Sequence, residues 1–235
     1  VNGDRVFRVH STNEAGKTWW ERASALQSKE LGPEIEALLP EVEAVARWGP
    51  SFGRLRRGDF TIRFDMAYVD STLFSMMSFD IAYGDRAPFS TPNEIVLTSK
   101  TAARFAKGGD VASLIGESFT FYTSGNKSSQ VTCTAIINGP TYRSTLQFEG
   151  LLPFDLMGGY QETGNEVLTF AMLARPIDRI SLEGALPELS RQIFAKETDD
   201  LRGQGKWSSD KDPFALHAVA LNEMLENRIP RDMLW

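Results

Sequence analysis

Histidine and cysteine are scarce in this 235-residue chain, with two of the first and one of the second. That scarcity closes off several chemistries. A lone cysteine, Cys133, leaves no internal disulfide to form. It lies in "QVTCTAII", where alternation reads as a strand, so a small buried side chain is expected there and not a nucleophile, which would want a basic, exposed setting. His10 and His217 sit far apart in alternating strand patterns, without a His, Cys or acidic residue at ligand spacing. Each reads as a core or edge histidine, and zinc or iron binding is not expected. The sequence has no Walker A loop, no G-x-G-x-x-G and no G-x-S-x-G elbow; "GESFT" at 116 to 120 lacks the closing glycine. No metal, cofactor or catalytic residue is therefore assigned. No run approaches the ~18 apolar residues that span a bilayer. The longest, "FALHAVAL", is of strand length. Excess positive charge is missing too: the net charge of -6 argues against nucleic acid, although "RLRRGD" at 54 to 59 is locally basic. The chain carries no signal peptide, begins with Val1 and ends on "MLW", which reads as a domain excised from a longer protein.

What is present is globular in texture. At 42% hydrophobic and 24% charged, the chain can bury a sizeable core. "RVFRVHS" (5 to 11) alternates as a strand. "WWERASALQSKELGPEIEALL" has helical spacing at Leu31, Ile35, Leu38 and Leu39; Pro33 is tolerable only in a first turn, so the helix restarts near Gly32, and Pro40 stops it. "EVEAVARW" returns to period two. The same grammar closes the chain: strand 166 to 175, helix 181 to 198, a polar loop "DDLRGQGKWSSDKD", then strand 212 to 221. These two strand–helix–strand units point to a split ferredoxin-like sandwich. Between them, residues 51 to 163 read as a smaller inserted α/β lobe. It holds a strand at 60 to 70, a short helical turn at 71 to 79 capped by Ser71, a strand "NEIVLTS", a helix "KTAARFAK" ended by Gly108-Gly109, and a hairpin turning at Gly125-Asn126. The class is α+β.

Carboxylates cluster without making a site. Glu34, Glu36, Glu41 and Glu43 fall on the wet faces of a helix-to-strand corner, with Glu34 suited to the helix N-terminus. Asp65, Asp70, Asp80 and Asp85 read as solvated acids at strand ends and turns. "RGD" at 57 to 59 is hairpin turn chemistry, and "NKS" at 126 to 128 belongs to a turn. Trp19 and Trp20 are the candidate partner or substrate contact, because adjacent tryptophans cannot both face one core and an exposed one is an effective anchor. "LFSMMSF" reads as core, with a flexible apolar contact surface as the alternative.

Taken in order, these motifs resemble the MacB-like periplasmic core domain of FtsX-like ABC transporter permeases. "NGDRVFRV", "LGPEIEALLPEVEAVARW", "VDSTLFSMMSFDIAYGD", "PNEIVLTSKTAARFA", "LIGESFTF", "VTCTAIINGP" and "TLQFEGLLPF" follow the family's order. The match is looser after Glu166, resting on "LTFAMLARP" and "FALHAVALNEM". Leu73-Phe74 stands where an aromatic doublet is common, and "GGDVASLIG" replaces a tighter aspartate-proline turn. The resemblance implies a porter-like subdomain from 1–50 and 164–235, with a Sabre-like lobe at 51–163. It implies a non-catalytic domain at the periplasmic face of the bacterial inner membrane, between the first and second of four membrane helices. Its implied partners are a second permease protomer, a cytoplasmic ABC ATPase, fused or separate, and a periplasmic adaptor or substrate protein. Its implied role is to transmit ATP-driven motion to export or extract substrates. The alternative is a free-standing periplasmic ligand-binding or sensor domain.

Overall fold

The computed structural model describes residues 3–17, 23–24, 26–123, 125, 127–140, 146–157, 166–175 and 178–225. In chain order its elements are β1 (Val6–Asn13), β2 (Ala23–Ser24), β3 (Gln27–Ser28), α1 (Leu31–Leu38), β4 (Val42–Arg57), β5 (Phe60–Val69), α2 (Leu73–Met76), β6 (Ile81–Gly84), β7 (Glu94–Thr98), α3 (Ser99–Ala106), β8 (Ser118–Thr123), β9 (Ser128–Ile137), β10 (Gly150–Pro153), β11 (Glu166–Leu173), α4 (Arg179–Ile193), α5 (Ala195–Gly203), β12 (Phe214–Ala220) and α6 (Leu221–Leu225). Contacts divide the chain into two compact units, Val1–Ala46 with Asn165–Trp235, and Arg47–Gly164.

In the first unit β1 lies between β11 and β12 and is antiparallel to both, and β11 pairs in turn with β4. Period two sends Phe7 and Val9 to one face of this sheet. There they meet Ala171, Leu173, Leu216 and Ala220, and the apolar stripes of α1 and α4 close over them. The helix α1 begins at Leu31, so Pro33 falls in its first turn, where its missing N–H goes unneeded. Its buried stripe is Leu31, Ile35 and Leu39, whereas Leu38, expected to face inward, is 49% exposed. Helical spacing sets Leu38 within about 20° of Leu31, so its exposure goes with its place as the last residue of α1 and not with its angle. Each buried Leu or Ile of this kind contributes roughly 1.5–3 kcal/mol.

Three other expectations change here. Residues before Leu31 do not continue the helix: Gln27–Ser28 pairs with β11, and Ser24 pairs with Ser11 of β1. The expected helix over 181 to 198 is two helices, α4 and α5, parted at Phe194, whose ring stacks on Phe214 at 4.9 Å. The second of them runs to Gly203, into what reads as loop in the sequence. Ser190 ties α4 to β12: its hydroxyl donates to the Leu186 carbonyl at 2.7 Å and accepts from the Leu216 N–H at 2.8 Å.

The second unit holds more strand than the sequence pattern promises. β4 pairs with β5, β5 with β10, β10 with β7, β7 with β9, β9 with β8, and β8 again with β4. The pairings close on themselves as a six-stranded ring, with β6 added alongside β9. Leu55, Ile62, Phe64, Phe119, Phe121, Val131 and Cys133 are buried in it, alternating with exposed positions along β4 and β5 and with half-buried ones along β8 and β9. The turn of "RGD" is the two-residue connection between β4 and β5, with Gly58 at φ 56°. Gly53 has no room for a side chain: a Cβ there would stand 2.4 Å from the Tyr122 carbonyl oxygen and 2.6 Å from the Phe121 ring. β8 closes against β4 at that point, across from Thr123. α2 begins after Thr72, not Ser71, and without a side-chain cap. α3 is capped by the Thr98 hydroxyl and ends on Lys107 in the left-handed region, followed by Gly108.

Candidate functional site

The two histidines, 207 positions apart, meet. Antiparallel pairing of β1 with β12 sets His10 directly opposite His217, and their rings stack at 5.2 Å. His10 is buried and its Nδ1 has no hydrogen-bond partner, while His217 Nε2 lies 2.9 Å from the Thr12 hydroxyl. Arg8, two residues along β1, shares this face and is 2% exposed. Burial, the His217 ring and the Arg8 charge together push His10 down to about 4. Burial also lowers His217. At neutral pH both rings are uncharged. Alternation along each strand was visible in the sequence; the register that joins them was not.

Two features stand out in the second unit. Glu94, at the start of β7, is 4% exposed, and among the described residues no cation pairs with it. Its carboxylate instead accepts from the Phe89 N–H at 2.6 Å, the Ser90 hydroxyl at 2.9 Å, the Thr91 N–H at 2.8 Å and hydroxyl at 3.0 Å, and the Thr134 hydroxyl at 3.1 Å. Burial raises its pKa, but these donors win and hold it below the ordinary value. They also hold Phe89 at φ 75°, a conformation that costs a non-glycine residue energy. The Phe89 ring meets Phe74 at 5.4 Å, Phe74 meets Phe79 at 4.9 Å, Phe79 meets Phe148 at 6.4 Å, and Phe148 meets Trp48 at 5.2 Å. Phe74, Phe79, Phe89 and Phe148 are each half-buried. "LFSMMSF" thus divides: Leu73 and Met76 are core, and Phe74 and Phe79 belong to this partly open row.

The remaining candidates are structural. Asp70 is not a solvated turn acid: it takes the Arg47 guanidinium at 2.9 and 2.8 Å and the Arg47 N–H at 2.8 Å, while that guanidinium lies 3.8 Å over the Phe154 ring. Asp80 accepts from the Asn138 amide at 2.7 Å, and Asp85 from the Ala87 N–H at 2.9 Å. Asp65 stays exposed on β5. Glu34 and Glu36 are exposed on α1, and Glu43 pairs with Arg5. Cys133 is fully buried with its thiol pushed up to about 12, mainly by burial. Among the described residues no group of three or more His, Cys, Asp or Glu is placed to hold a metal ion. Trp19 and Trp20 lie outside the described residues.

No family model matches the chain, and no curated protein matches it in sequence. Solved structures do. A domain of a permease protein from Porphyromonas gingivalis superposes with a TM-score of 0.64 at 16% identity, covering 94% of this chain and 92% of that one. The periplasmic region of MacB from Actinobacillus actinomycetemcomitans superposes at 0.61 with 10% identity, covering 97% and 95%. The chain has the MacB periplasmic-domain fold. The extracellular domain of the ABC-type transporter YknZ from Gram-positive bacteria also superposes, at 0.57 with 11% identity over 89% and 99%. Identities this low establish the α+β fold and leave function to be argued. The histidine pair and the phenylalanine row are accordingly features of this chain laid on a MacB-like frame.

Proposed function

We propose that this chain is the extracytoplasmic domain of an ABC transporter permease, located at the periplasmic face of a bacterial inner membrane and non-enzymatic. The observation that carries this reading is likeness to three permease or transporter domains along nearly the whole of each chain. In this reading residues 1–50 and 164–235 are the porter-like subdomain of two split βαβ units, and 51–163 the Sabre-like lobe. A fused or separate cytoplasmic ATPase hydrolyses ATP. A second permease protomer completes the transporter, and an adaptor or substrate protein engages it in the periplasm. The domain is then a two-state element biased from across the membrane, converting ATP-driven dimerisation into export or extraction. Among the described residues no helix is long and apolar enough to cross a membrane, so the reading places the membrane helices in sequence beyond these residues. Trp19 and Trp20 serve as a partner or substrate contact.

The complete reading frame tests the proposal. It should carry apolar spans of about 20 residues, one before this domain and three after it. A frame without them would leave a free-standing periplasmic ligand-binding or sensor domain. The tryptophan contact has its own test: Trp19→Ala and Trp20→Ala should reduce transport with an unchanged melting temperature. A large thermal loss would assign both rings to the core instead.

A further inference from the structure

The sheet of the first unit ends on β12, and that edge lacks the usual protection. β12 pairs with β1 on one side, and among the described residues no strand pairs with the other. An open edge offers a row of main-chain donors and acceptors to any extended chain, and proteins blunt it with charge, proline, a bulge or brevity. β12 is seven residues long, reads "FALHAVA", and keeps an unbroken register with β1. It contains no lysine, arginine, carboxylate or proline.

One hydrogen bond fixes which groups face outward. The Leu216 N–H turns away from β1 and donates to the Ser190 hydroxyl of α4. In an antiparallel pair the N–H and C=O of one residue point the same way and the direction alternates along the strand. Phe214, Leu216 and Ala218 therefore present their main-chain groups outward, and Ser190 takes one of the donors. Beside this edge lies a cleft of about 440 Å³, lined by Leu186, Pro187 and Ser190 of α4 and by Phe214, Leu216 and Ala218 of β12. Glu183 and Asp212 also line it, but Glu183 holds Arg179, and Asp212 holds Arg191 and Arg202. Charge therefore does not choose the occupant; the main chain does.

We propose that this edge takes an extended segment of a partner protein, which adds to the sheet as a strand along β12 and sets a large apolar side chain in the cleft opposite Ala218. A residue paired with Ala218 shares its face of the sheet, and Ala218 packs on the face that α4 covers. Alanine is small, so its cross-strand partner has room to be large. Main-chain hydrogen bonds supply the affinity in this mode, and the cleft supplies the selectivity. A second copy of this chain is the poorer occupant. One pair of seven-residue strands buries far less than a stable dimer needs, and a net charge of -6 on each copy opposes the approach. This surface does not depend on the transporter reading, and its test leaves that reading untouched.

Titration of the 235-residue chain, followed by amide NMR, supplies the test. The probe is a blocked peptide of alternating threonine and valine with phenylalanine at its centre, placed so that phenylalanine and the valines share one face. Binding should shift the amides from Phe214 to Ala220. A peptide N-methylated at phenylalanine and the valines loses the donors that face β12 and should not bind; one N-methylated at the threonines should bind as the parent does. Ala218→Pro removes an outward N–H and none of the bonds to β1, so it should lower affinity by about tenfold or more while the β1 pairing persists. Ala218→Lys places a long charged chain in the cleft and should lower affinity likewise, which covers the case of a proline variant that fails to fold. The proposal is overturned if millimolar peptide leaves the β12 amides unmoved, or if the two methylated peptides bind alike. It is equally overturned if those amides shift on dilution of the protein alone, which would give the edge to a second copy.

Discussion

At the scale of single residues, two buried titratable groups set how the fold answers to acid. Glu94 takes five donors and gives nothing back. Its folded pKa is lowered, so its stabilisation is complete above the ordinary carboxylate value and is lost as pH falls through the folded one. Glu94→Gln presents an amide to donors that need an acceptor, and should cost about 2 kcal/mol at neutral pH. Urea denaturation should show that cost, and the gap to wild type should narrow in strong acid. His10 acts at a higher pH. Its folded value of about 4 lies below the free imidazole value, so protonation favours the unfolded chain. Stability is whole above about pH 6.5 and declines as pH drops toward 4, by about 3 kcal/mol in all. The charged Arg8 and the His217 ring on the same face add to the opposition. His10→Gln should flatten that segment of the stability–pH curve; an unchanged slope would show that the ring is not the group responsible.

At the scale of elements, closure of the ring in the second unit turns on one position. A Cβ at Gly53 would meet a backbone oxygen and an aromatic ring, neither of which is the far end of a flexible side chain. Gly53→Ala should therefore force β4 and β8 apart and cost about 3 kcal/mol. Faster amide exchange should appear at Thr120 to Thr123 while β1 and β11 keep their protection. Nothing in "PSFGRLRR" announces this, because the constraint comes from a strand some seventy residues away. The elements that were legible in sequence are those whose cause is local. Pro33 and Pro40 bound α1, Gly58-Asp59 turns β4 into β5, and alternation in "QVTCTAII" buries Cys133. Misread elements answer to distant partners: the break at Phe194 goes with its stacking on Phe214, and the short strands before Leu31 with their pairing to β1 and β11. The candidate site was hidden for the same reason. Register, not spacing, joins His10 to His217, and Asp70 looks like a turn acid until Arg47 closes on it.

At the scale of the whole molecule, the surface decides whether the domain assembles unaided. The large hydrophobic side chains that stand open among the described residues are Leu38 of α1, Phe52 of β4, Tyr83 of β6 and Ile180 of α4. Four such side chains are far short of the apolar area that stable homodimers bury. A net charge of -6 adds mutual repulsion between copies. The isolated domain should therefore be a monomer, or a dimer too weak to persist at micromolar concentration. In the transporter reading, dimerisation is driven by membrane helices and ATPase, and a domain that clung to its copy would resist the separation each cycle requires. Sedimentation velocity at micromolar protein in physiological salt should give a single species of monomer mass. A tight dimer there would contradict both the surface assignment and the idea that assembly is imposed from the membrane.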